Sequence, residues 1–410
     1  MRVPTLSCLA EAVIVSSLFA NLAAAQVKYS TWMASSIMSR SQGIMTGKGG
    51  SSELLQAGIT QRALTALVAQ YPHDNVTAGA RAYVQRSAAS VAPFTLNASY
   101  DALAYPLDRL STGNAMLSLY SASDASTSTF RPAADALRLS IDLNRRNPEG
   151  GLWYFTYPQW SYLDGMYSFA PFYTVYTVGT AGSSGSDANA TAALDDVDFQ
   201  LDLLWTHTRN ATTGLLAHGY DASKTAVWAN PSTGASPHVW GRSLGWYAVA
   251  LVETLEALPK SACTVRGNVL EKLRLLAGAL VEAVDPVTGG WWQVLDQPGR
   301  AGNYIESSGS AMFAYALLKG ARLGYLGGAN ATLAAKATQV GVRGHGYLTQ
   351  TFLVKEANGT LGYNGTVSVC SLNSTASYEY YVGQPINYNS VLGSAAYVLA
   401  SLEVEQLQIS

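Results

Sequence analysis

Two segments of the sequence each place one charged side chain among aromatic residues and glycines, at the start of a helix-like run. Asp164 lies in the segment Ser161–Tyr167, and Arg242 lies in the segment His238–Trp246. Only 13% of the residues are charged, and an ion that loses its hydration without gaining a partner is costly to bury. The pattern therefore favours an active site over two solvated surface charges.

Asp164 has the surroundings of a general acid. Its neighbours Trp160, Tyr162 and Met166 would lower the local dielectric, which raises the pKa of a carboxyl group and lets it carry a proton near neutral pH. Aspartate is also a favoured residue at the N-cap of a helix. The residues alone leave both roles open.

Asp108 repeats this placement about one helical hairpin earlier, just before the run Ser111–Gly113. If the entries of consecutive inner helices meet in one cleft, Asp108 and Asp164 face each other, and their mutual repulsion separates their pKa values. The alternative is a cap, or a surface ion pair between Asp108 and Arg109.

Four further side chains are suited to hold a ligand. His218 lies in a glycine-flanked segment and could donate a hydrogen bond or titrate, although a single histidine often has a structural role. Arg242 lies between Trp240 and Trp246, and a guanidinium beside indole rings can clamp a carboxylate with two hydrogen bonds. We expect an acidic ligand such as a uronic acid, with simple packing as the alternative.

Ser243 is the centre of a G-x-S-x-G sequence, and Asp285 or Asp296 and then His345 follow in the order of a serine esterase triad. That motif requires a buried strand before the serine. The residues Pro237–Trp240 form a poor strand, so the esterase remains a distant alternative.

Six runs of small and apolar residues at helical spacing alternate with six more charged runs, which predicts an all-α fold, a closed (α/α)6 barrel of six helical hairpins. The apolar runs are Leu55–Tyr71, Ser111–Tyr120, Gly165–Tyr176, Ser243–Leu258, Ser308–Tyr325 and Ser390–Leu407. Their partners are Trp32–Arg40, Val76–Ala92, Ala133–Asn147, Leu194–Thr208, Val265–Val284 and Ala331–Thr349. The loops before the apolar runs should gather at one end of the barrel and build the site there.

The first 25 residues combine Arg2, an apolar stretch and three alanines, which predicts a secretory signal peptide followed by a single catalytic domain over residues 26–410. Eight N-glycosylation sequons predict a secreted, extracellular glycoprotein with N-glycans. They begin at Asn75, Asn97, Asn189, Asn210, Asn330, Asn358, Asn364 and Asn373. Cys263 and Cys370 either form one disulfide or stay as separate buried thiols.

Composition also bounds the ligands. The net charge of −2 and the dispersed basic residues argue against a nucleic-acid partner, and no segment after the signal is apolar enough to predict a membrane span. The five histidines show no metal-ligand spacing, and there is no phosphate-binding loop. These features predict a hydrolase without a cofactor, acting on neutral or sugar-like substrates, while the oligomeric state stays open.

Several segments, in the same order over most of the chain, resemble glycoside hydrolase family 105, the unsaturated rhamnogalacturonyl hydrolases, which are related to the family 88 unsaturated glucuronyl hydrolases. The segments are Tyr105–Asp108, Leu163–Tyr167 with Pro171–Phe172, His218–Asp221, Trp240–Tyr247 and Glu306–Phe313. The sequence departs from the family pattern at Trp153, Leu55, Gln56 and Trp160–Tyr162. These departures leave the identity of the leaving sugar open.

The resemblance implies an (α/α)6 barrel that acts on oligosaccharides released by pectin lyases. It implies hydration of the 4,5 double bond of a terminal unsaturated galacturonyl unit, with Asp164 as general acid and base and Asp108 assisting it. By the same resemblance, His218 and the group Trp240, Arg242 and Trp246 would bind the sugar and its carboxylate. An unsaturated glucuronyl hydrolase is the nearest alternative, and a sugar-binding barrel without activity is a further one.

Overall fold

The computed structural model describes residues 27–50, 52–180, 188–327 and 331–409. The predicted signal peptide and the sequon at Asn330 lie outside these residues. The helices are α1 (Tyr29–Ser39), α2 (Glu53–Gln70), α3 (Asn75–Val91), α4 (Ala98–Ala104), α5 (Gly113–Leu119), α6 (Phe130–Asp142), α7 (Asp164–Thr180), α8 (Ala188–Thr208), α9 (Gly241–Ala257), α10 (Cys263–Glu282), α11 (Ser307–Arg322), α12 (Ala331–Thr351), α13 (Tyr378–Val382) and α14 (Val391–Ile409). Short 3₁₀ helices span Ala92–Phe94, Leu107–Thr112 and Ala125–Thr127, and the strands are β1 (Trp160–Tyr162), β2 (Gly219–Asp221), β3 (Leu353–Lys355) and β4 (Leu361–Tyr363).

Six helices form a closed inner ring. In ring order they are α2, α5 with the preceding 3₁₀ helix Leu107–Thr112, α7, α9, α11 and α14, and α14 packs back against α2. Each inner helix has one outer partner: α3, α6, α8, α10 and α12 cover the first five, and α1 covers α14. The molecule is therefore the (α/α)6 barrel that the sequence predicts.

Small residues let the inner helices approach each other closely. Every residue of α9 from Gly241 to Leu255 is buried, so this helix has no solvent face. A Cβ atom on Gly245 would lie 2.9 Å from the sulfur of Met312, and one on Gly309 would lie 2.9 Å from the carbonyl carbon of Gly241. Glycine at these two positions allows α9 and α11 to pack backbone to backbone.

The outer helices are amphipathic. In α6 the buried side chains include Phe130, Ala134, Leu137 and Ile141, at spacings of three and four residues that form one face of a helix. Burial of such a face against the inner ring is the main source of stability for helices of this length.

The loops that precede the inner helices meet at one end of the barrel. β1, before α7, pairs antiparallel with β2, which lies before α9. Trp240 bridges to Val294, which lies before α11. A second apolar cluster, separate from the main core, lies at this loop end; it contains Tyr162, Trp228, Trp240, Val294, Val367, Cys370, Leu372, Ala376, Tyr378 and Tyr381.

The two cysteines of the described chain are not joined. Cys263 is exposed at the start of α10, whereas Cys370 is buried in the loop-end cluster, and both thiols are free. Of the two alternatives that the sequence leaves open, the disulfide is excluded, and only Cys370 is a buried thiol. Among the described helices, none combines the length and the hydropathy of a membrane span.

Candidate active site

The strand pair β1–β2 brings Asp164 next to His218. Tyr162 is paired with Gly219 in the antiparallel register, and the backbone N–H of Leu163 donates to the His218 carbonyl at 3.1 Å. A Cβ on Gly219 would lie 2.4 Å from the Ser161 carbonyl oxygen, so only glycine permits this approach. Asp164 then begins α7 with its Oδ2 atom 3.2 Å from His218 Nε2.

The Asp164 carboxylate is 7% exposed and accepts a hydrogen bond from Ser243 Oγ at 2.5 Å. Its position in the first turn of α7 places it at the positive end of the helix dipole. Among the hydrogen bonds of the described residues, none runs from a backbone N–H of α7 to this carboxylate. The side chain is directed toward α9 and not used as the cap that the sequence left open.

Asp108 lies in the 3₁₀ helix Leu107–Thr112, which packs against α7. Its Oδ2 atom accepts from the Tyr154 hydroxyl at 2.8 Å, and its Oδ1 atom is buried without a hydrogen-bond partner. Burial, with a smaller contribution from the nearby charge of Asp164, raises the pKa of Asp108 to about 7 against the opposing effects of the Tyr154 hydrogen bond and Arg109. The two aspartates are therefore close enough to influence each other, and Asp108 keeps its proton up to about pH 7.

Arg109 does not form a surface pair with Asp108. The guanidinium is fully buried and donates to Ser140 Oγ at 2.9 Å and to Asn144 Oδ1 at 2.9 Å. It anchors the 3₁₀ helix to α6 and the loop after it, which holds Asp108 in place.

His218 is enclosed by aromatic rings. Tyr162 and Trp240 lie at ring-centroid distances of 5.1 Å and 4.8 Å, and the Tyr381 hydroxyl is 2.8 Å from Nδ1. Burial holds the pKa of Tyr381 well above its usual value, so the phenol keeps its hydrogen, and the direction of its hydrogen bond with Nδ1 depends on the imidazole tautomer. The other ring nitrogen, Nε2, is buried without a hydrogen-bond partner and lies on the side of Asp164.

Trp240 borders the site, whereas Trp246 does not. Trp240 packs on His218 and donates from Nε1 to Gln293 Oε1 at 3.1 Å. Trp246 is 1% exposed and packs against Tyr167 at 4.6 Å inside the barrel core. The structure thus gives Trp246 a packing role in place of the sugar contact expected from the sequence.

The structure also gives Arg242 a different role from the expected carboxylate clamp. Its guanidinium is 1% exposed and donates to the main-chain carbonyls of Val367 at 2.5 Å and Ser368 at 2.7 Å. Glu306 accepts from the Val367 N–H at 3.0 Å and lies 3.9 Å from the guanidinium. Because these donors are already satisfied, Arg242 secures the loop segment 366–368 instead of presenting a free fork to a ligand.

The esterase alternative has no assembled triad. His345 bonds to Ser401 at 2.8 Å, Asp296 pairs with His238 at 2.9 Å, and Asp285 accepts from Thr288. None of these contacts involves Ser243, which bonds to Asp164 instead. Ser243 also lies in α9 and not after a strand.

Two site residues, Tyr154 and Tyr381, were missed by the sequence analysis. Tyr154 stacks on Tyr162 at 4.4 Å with an interplanar angle of 9°, which fixes the hydroxyl on Asp108. Its position in the loop before α7 was a sequence feature from which its place in the site could have been predicted. Tyr381 is 163 residues from His218, and no local pattern links the two. Within the described residues, no group of three or more His, Cys, Asp or Glu side chains is arranged to hold a metal ion.

Comparison with known proteins agrees with this architecture. A family 105 glycoside hydrolase from C. acetobutylicum is 31% identical, with a TM-score of 0.76 over 93% of this chain and 100% of that chain. An unsaturated glucuronyl hydrolase from Bacillus sp. GL1 has a TM-score of 0.61 at 13% identity, covering 92% of this chain and 95% of that chain, which is a likeness of fold alone. Protein Atu3128 of Agrobacterium fabrum is 39% identical over 196 residues, which are 46% of this chain and 82% of that protein.

The model of Glycosyl Hydrolase Family 88 matches residues 30–408. This match extends from α1 to α14 and includes every side chain of the site described above. The chain therefore belongs to the glycoside hydrolases of the family 88/105 group.

Proposed function

We propose that this protein removes the 4,5-unsaturated galacturonyl residue from rhamnogalacturonan oligosaccharides by hydrating its double bond. The observation that carries the proposal is the pair of buried carboxylates at the loop end. Asp108 has a pKa raised to about 7, and Asp164 is held beside it by Ser243 and His218. Two carboxyl groups in unequal surroundings are the arrangement expected for acid and base chemistry.

In the proposed reaction, Asp164 donates a proton to C4 of the unsaturated ring, and positive charge develops at C5 and the ring oxygen. Asp164 then takes a proton from the water that adds at C5. The resulting hemiketal opens and releases the neighbouring sugar. An enol ether needs one well-placed proton donor and charge stabilisation, whereas ordinary glycosidases need two carboxyl groups at a defined separation.

Asp108 supports this reaction by binding. Its unpartnered Oδ1 is available to a sugar hydroxyl, while Tyr154 holds the other oxygen. At pH values below about 7 the group is largely protonated and adds little negative charge beside Asp164. The Nε2 atom of His218, which has no hydrogen-bond partner among the described residues, is proposed as a second contact for the same substrate.

The preference for a galacturonyl substrate rests on similarity. The chain is 31% identical to a family 105 enzyme across that whole chain, but only 13% identical to the unsaturated glucuronyl hydrolase. The leaving sugar is proposed to be rhamnose, as in the rhamnogalacturonan repeat.

Two disaccharides test the proposal: unsaturated galacturonyl-rhamnose and an unsaturated glucuronyl disaccharide. The decay of the alkene ultraviolet absorption measures turnover of both. We expect a higher kcat/KM for the galacturonyl substrate. Preference for the glucuronyl substrate would contradict the pectin assignment, and persistence of the absorption with both would contradict the hydration chemistry.

We further propose that the protein is exported and N-glycosylated. Support comes from the exposure of every sequon asparagine in the described residues, namely Asn75, Asn97, Asn189, Asn210, Asn358, Asn364 and Asn373. Expression in a secreting eukaryotic host should give protein in the medium whose mass falls after N-glycosidase treatment. Retention inside the cells with an unmodified mass would contradict this proposal.

A further inference from the structure

Ser243 places one hydroxyl between two acceptors. Its Oγ atom lies 2.5 Å from Asp164 Oδ2 and 3.3 Å from the His218 carbonyl oxygen, in donor geometry to both. The side chain is completely buried. A hydroxyl has one hydrogen and two lone pairs, so Ser243 can donate to only one of these atoms at full strength, and it can accept from Asp164 when that carboxyl group carries a proton.

We propose that Ser243 is a positioning residue that follows the protonation state of Asp164. It donates to Oδ2 when Asp164 is ionised. When Asp164 is protonated, Ser243 accepts from the acid and turns its own hydrogen to the His218 carbonyl. The inference rests on the proposed function, because hydration requires Asp164 to change from acid to base within one turnover.

The proton and electron balance of the reaction fits this rotation. In the first step the O–H bond of Asp164 breaks, the π electrons of the double bond form the new C4–H bond, and a carboxylate remains that Ser243 stabilises. In the second step the water oxygen bonds to C5 and one water proton returns to Asp164. The Ser243 hydroxyl then turns back, so both states of Asp164 keep a hydrogen-bond partner.

Other side chains around Asp164 are unsuited to this role. The titratable groups that face it from the packed elements are Asp108 on the 3₁₀ helix, Tyr154 and Tyr162 before α7, His218 directly before β2, and Cys370 and Tyr381 before α14. Arg242, adjacent in sequence, is occupied by main-chain carbonyls. Within the described chain, Ser243 is the one hydroxyl hydrogen-bonded to this carboxylate.

The first turn of α9 keeps Ser243 in place. The Gly241 N–H donates to the Gln293 carbonyl at 2.9 Å, and the Leu244 N–H donates to the Trp240 carbonyl at 3.1 Å. With the backbone fixed and the side chain buried, rotation of the hydroxyl hydrogen is the movement that remains. Such a rotation needs no rearrangement of heavy atoms.

The test compares Ser243→Ala with Ser243→Thr on the unsaturated disaccharide. For Ser243→Ala we expect kcat to fall about 10- to 100-fold, the loss typical of a hydrogen bond to a charged group, with KM little changed. The ionised form loses more than the neutral form, so the pH at which kcat declines on the alkaline side should move upward. Ser243→Thr should restore most of kcat and the original pH profile.

Two further variants complete the test, one as a control and one as a substitute for Ser243→Ala if that variant does not fold. Ser401→Ala removes an equally buried hydroxyl from α14, where it bonds to His345, and should change neither kcat nor the pH profile. If Ser243→Ala does not fold, Ser243→Cys keeps the shape with a weak donor and should shift the profile in the same direction. An unchanged pH profile in a folded Ala or Cys variant overturns the inference, whatever happens to kcat.

Asp164→Asn separates failure of this inference from failure of the proposed function. If the wild-type protein does not consume the alkene, the function itself is wrong. If Asp164→Asn abolishes turnover while Ser243→Ala retains the wild-type rate and profile, only the role of Ser243 is wrong.

Discussion

Each end of the barrel buries a carboxylate, and the two carboxylates differ in the charge of their nearest neighbours. At the loop end, Asp108 is 4% exposed, accepts one hydrogen bond from Tyr154, and has Asp164 as its charged neighbour. Glu253 is 9% exposed and lies 12 residues along α9 from its first residue, about 18 Å at 1.5 Å per residue. It accepts from Arg62 Nε and Nη2 at 2.8 Å each.

Glu253 has further partners in Lys319 Nζ at 2.9 Å and the Tyr315 hydroxyl. Burial raises its pKa, but the two cations more than reverse this effect and hold the pKa well below its usual value. Burial by itself therefore does not create a catalytic acid. The difference is made by the charge of the nearest neighbours, which is negative beside Asp108 and positive beside Glu253.

The position of a cavity between the inner helices also distinguishes Glu253 from the two aspartates. A space of about 350 Å³ lies among α2, α5, α7 and α9, lined in part by Arg62, Glu253 and Tyr167. It does not include Asp108 or Asp164. A cavity thus lies beside the paired, structural carboxylate, whereas the unsatisfied Oδ1 of Asp108 marks the proposed site of chemistry.

The largest effect is expected for Asp164→Asn. Without a proton donor, kcat should fall by about 10² to 10⁴, the contribution typical of general acid and base catalysis. The unfolding midpoint should stay close to that of the wild type, because the amide can still accept from Ser243. Turnover is measured by alkene absorption and folding by thermal denaturation. Wild-type turnover in this variant would refute the assignment of Asp164.

Glu253→Gln should lower the stability of the protein without changing its activity, the reverse of the effect expected for Asp164→Asn. The substitution leaves Arg62 and Lys319 without their shared carboxylate, and loss of one partner from a buried ion pair costs about 3–5 kcal/mol. The free energy of unfolding, from denaturant titration, should fall by this amount, while kcat of the folded protein stays unchanged. Glu256→Gln is the matched control. Glu256 contacts the same Lys319 at 2.6 Å but is 47% exposed, so its loss should cost only about 0–1 kcal/mol.

The pH dependence of stability should differ in sign between Asp108 and Glu253. The pKa of Asp108 is raised from 3.8 to about 7, so its contribution is complete below the unfolded value and is lost as pH rises toward 7. This loss is on the order of 4 kcal/mol at about 1.4 kcal/mol per pKa unit. The pKa of Glu253 is lowered, so its contribution is present above its unfolded value and is lost as pH falls.

Denaturant unfolding of Asp108→Asn and the wild type from about pH 4 to pH 8 measures the first of these slopes. The variant should lose the decline in stability between about pH 4 and about pH 7 that the wild type shows from this group. Parallel pH curves for the two proteins would show that Asp108 is not held protonated.

The smallest effect is expected for Tyr381→Phe. The substitution removes the hydrogen-bond partner of His218 Nδ1, which costs about 1 kcal/mol. We expect kcat/KM to fall about fivefold, the equivalent of that energy. Tyr380→Phe is the control, because Tyr380 accepts from the Ser371 N–H and does not bond to His218. Equal losses in both variants would contradict a specific role for Tyr381.

The barrel was predictable because its helices carry local signals. Small and apolar residues at helical spacing mark α9 and α11 over almost their full length, and the charged faces of the outer helices mark their partners. The prediction of the element around Asp108 was less accurate. The predicted single helix Ser111–Tyr120 is the end of the 3₁₀ helix Leu107–Thr112 followed by α5, since 3₁₀ turns are frequent at the N-termini of α-helices.

The site was predictable in part, for a physical reason. Asp164 and His218 converge through β1 and β2, whose ends carry short, recognisable segments. The roles of Arg242 and Trp246 depend on which face of α9 points toward the loops. That choice is made by Val367, 125 residues from Arg242, and by the packing of Tyr167 on Trp246. Contacts so distant in sequence leave no periodic pattern.

The packing of α1 on α14 makes assembly of the barrel depend on the order of synthesis. The backbone N–H of Ser30 donates to Glu405 at 3.1 Å, and its hydroxyl donates to the same carboxylate at 2.5 Å, across 375 residues. At roughly 5–20 residues per second, the ribosome needs on the order of 20 to 75 s to make the partner that α1 requires. Throughout that time the apolar side chains of Met33 and Ile37, which are buried in the finished barrel, lack the surface that α14 supplies. α1 therefore completes its packing only after α14 has been synthesised, and closure of the ring is a late step of folding.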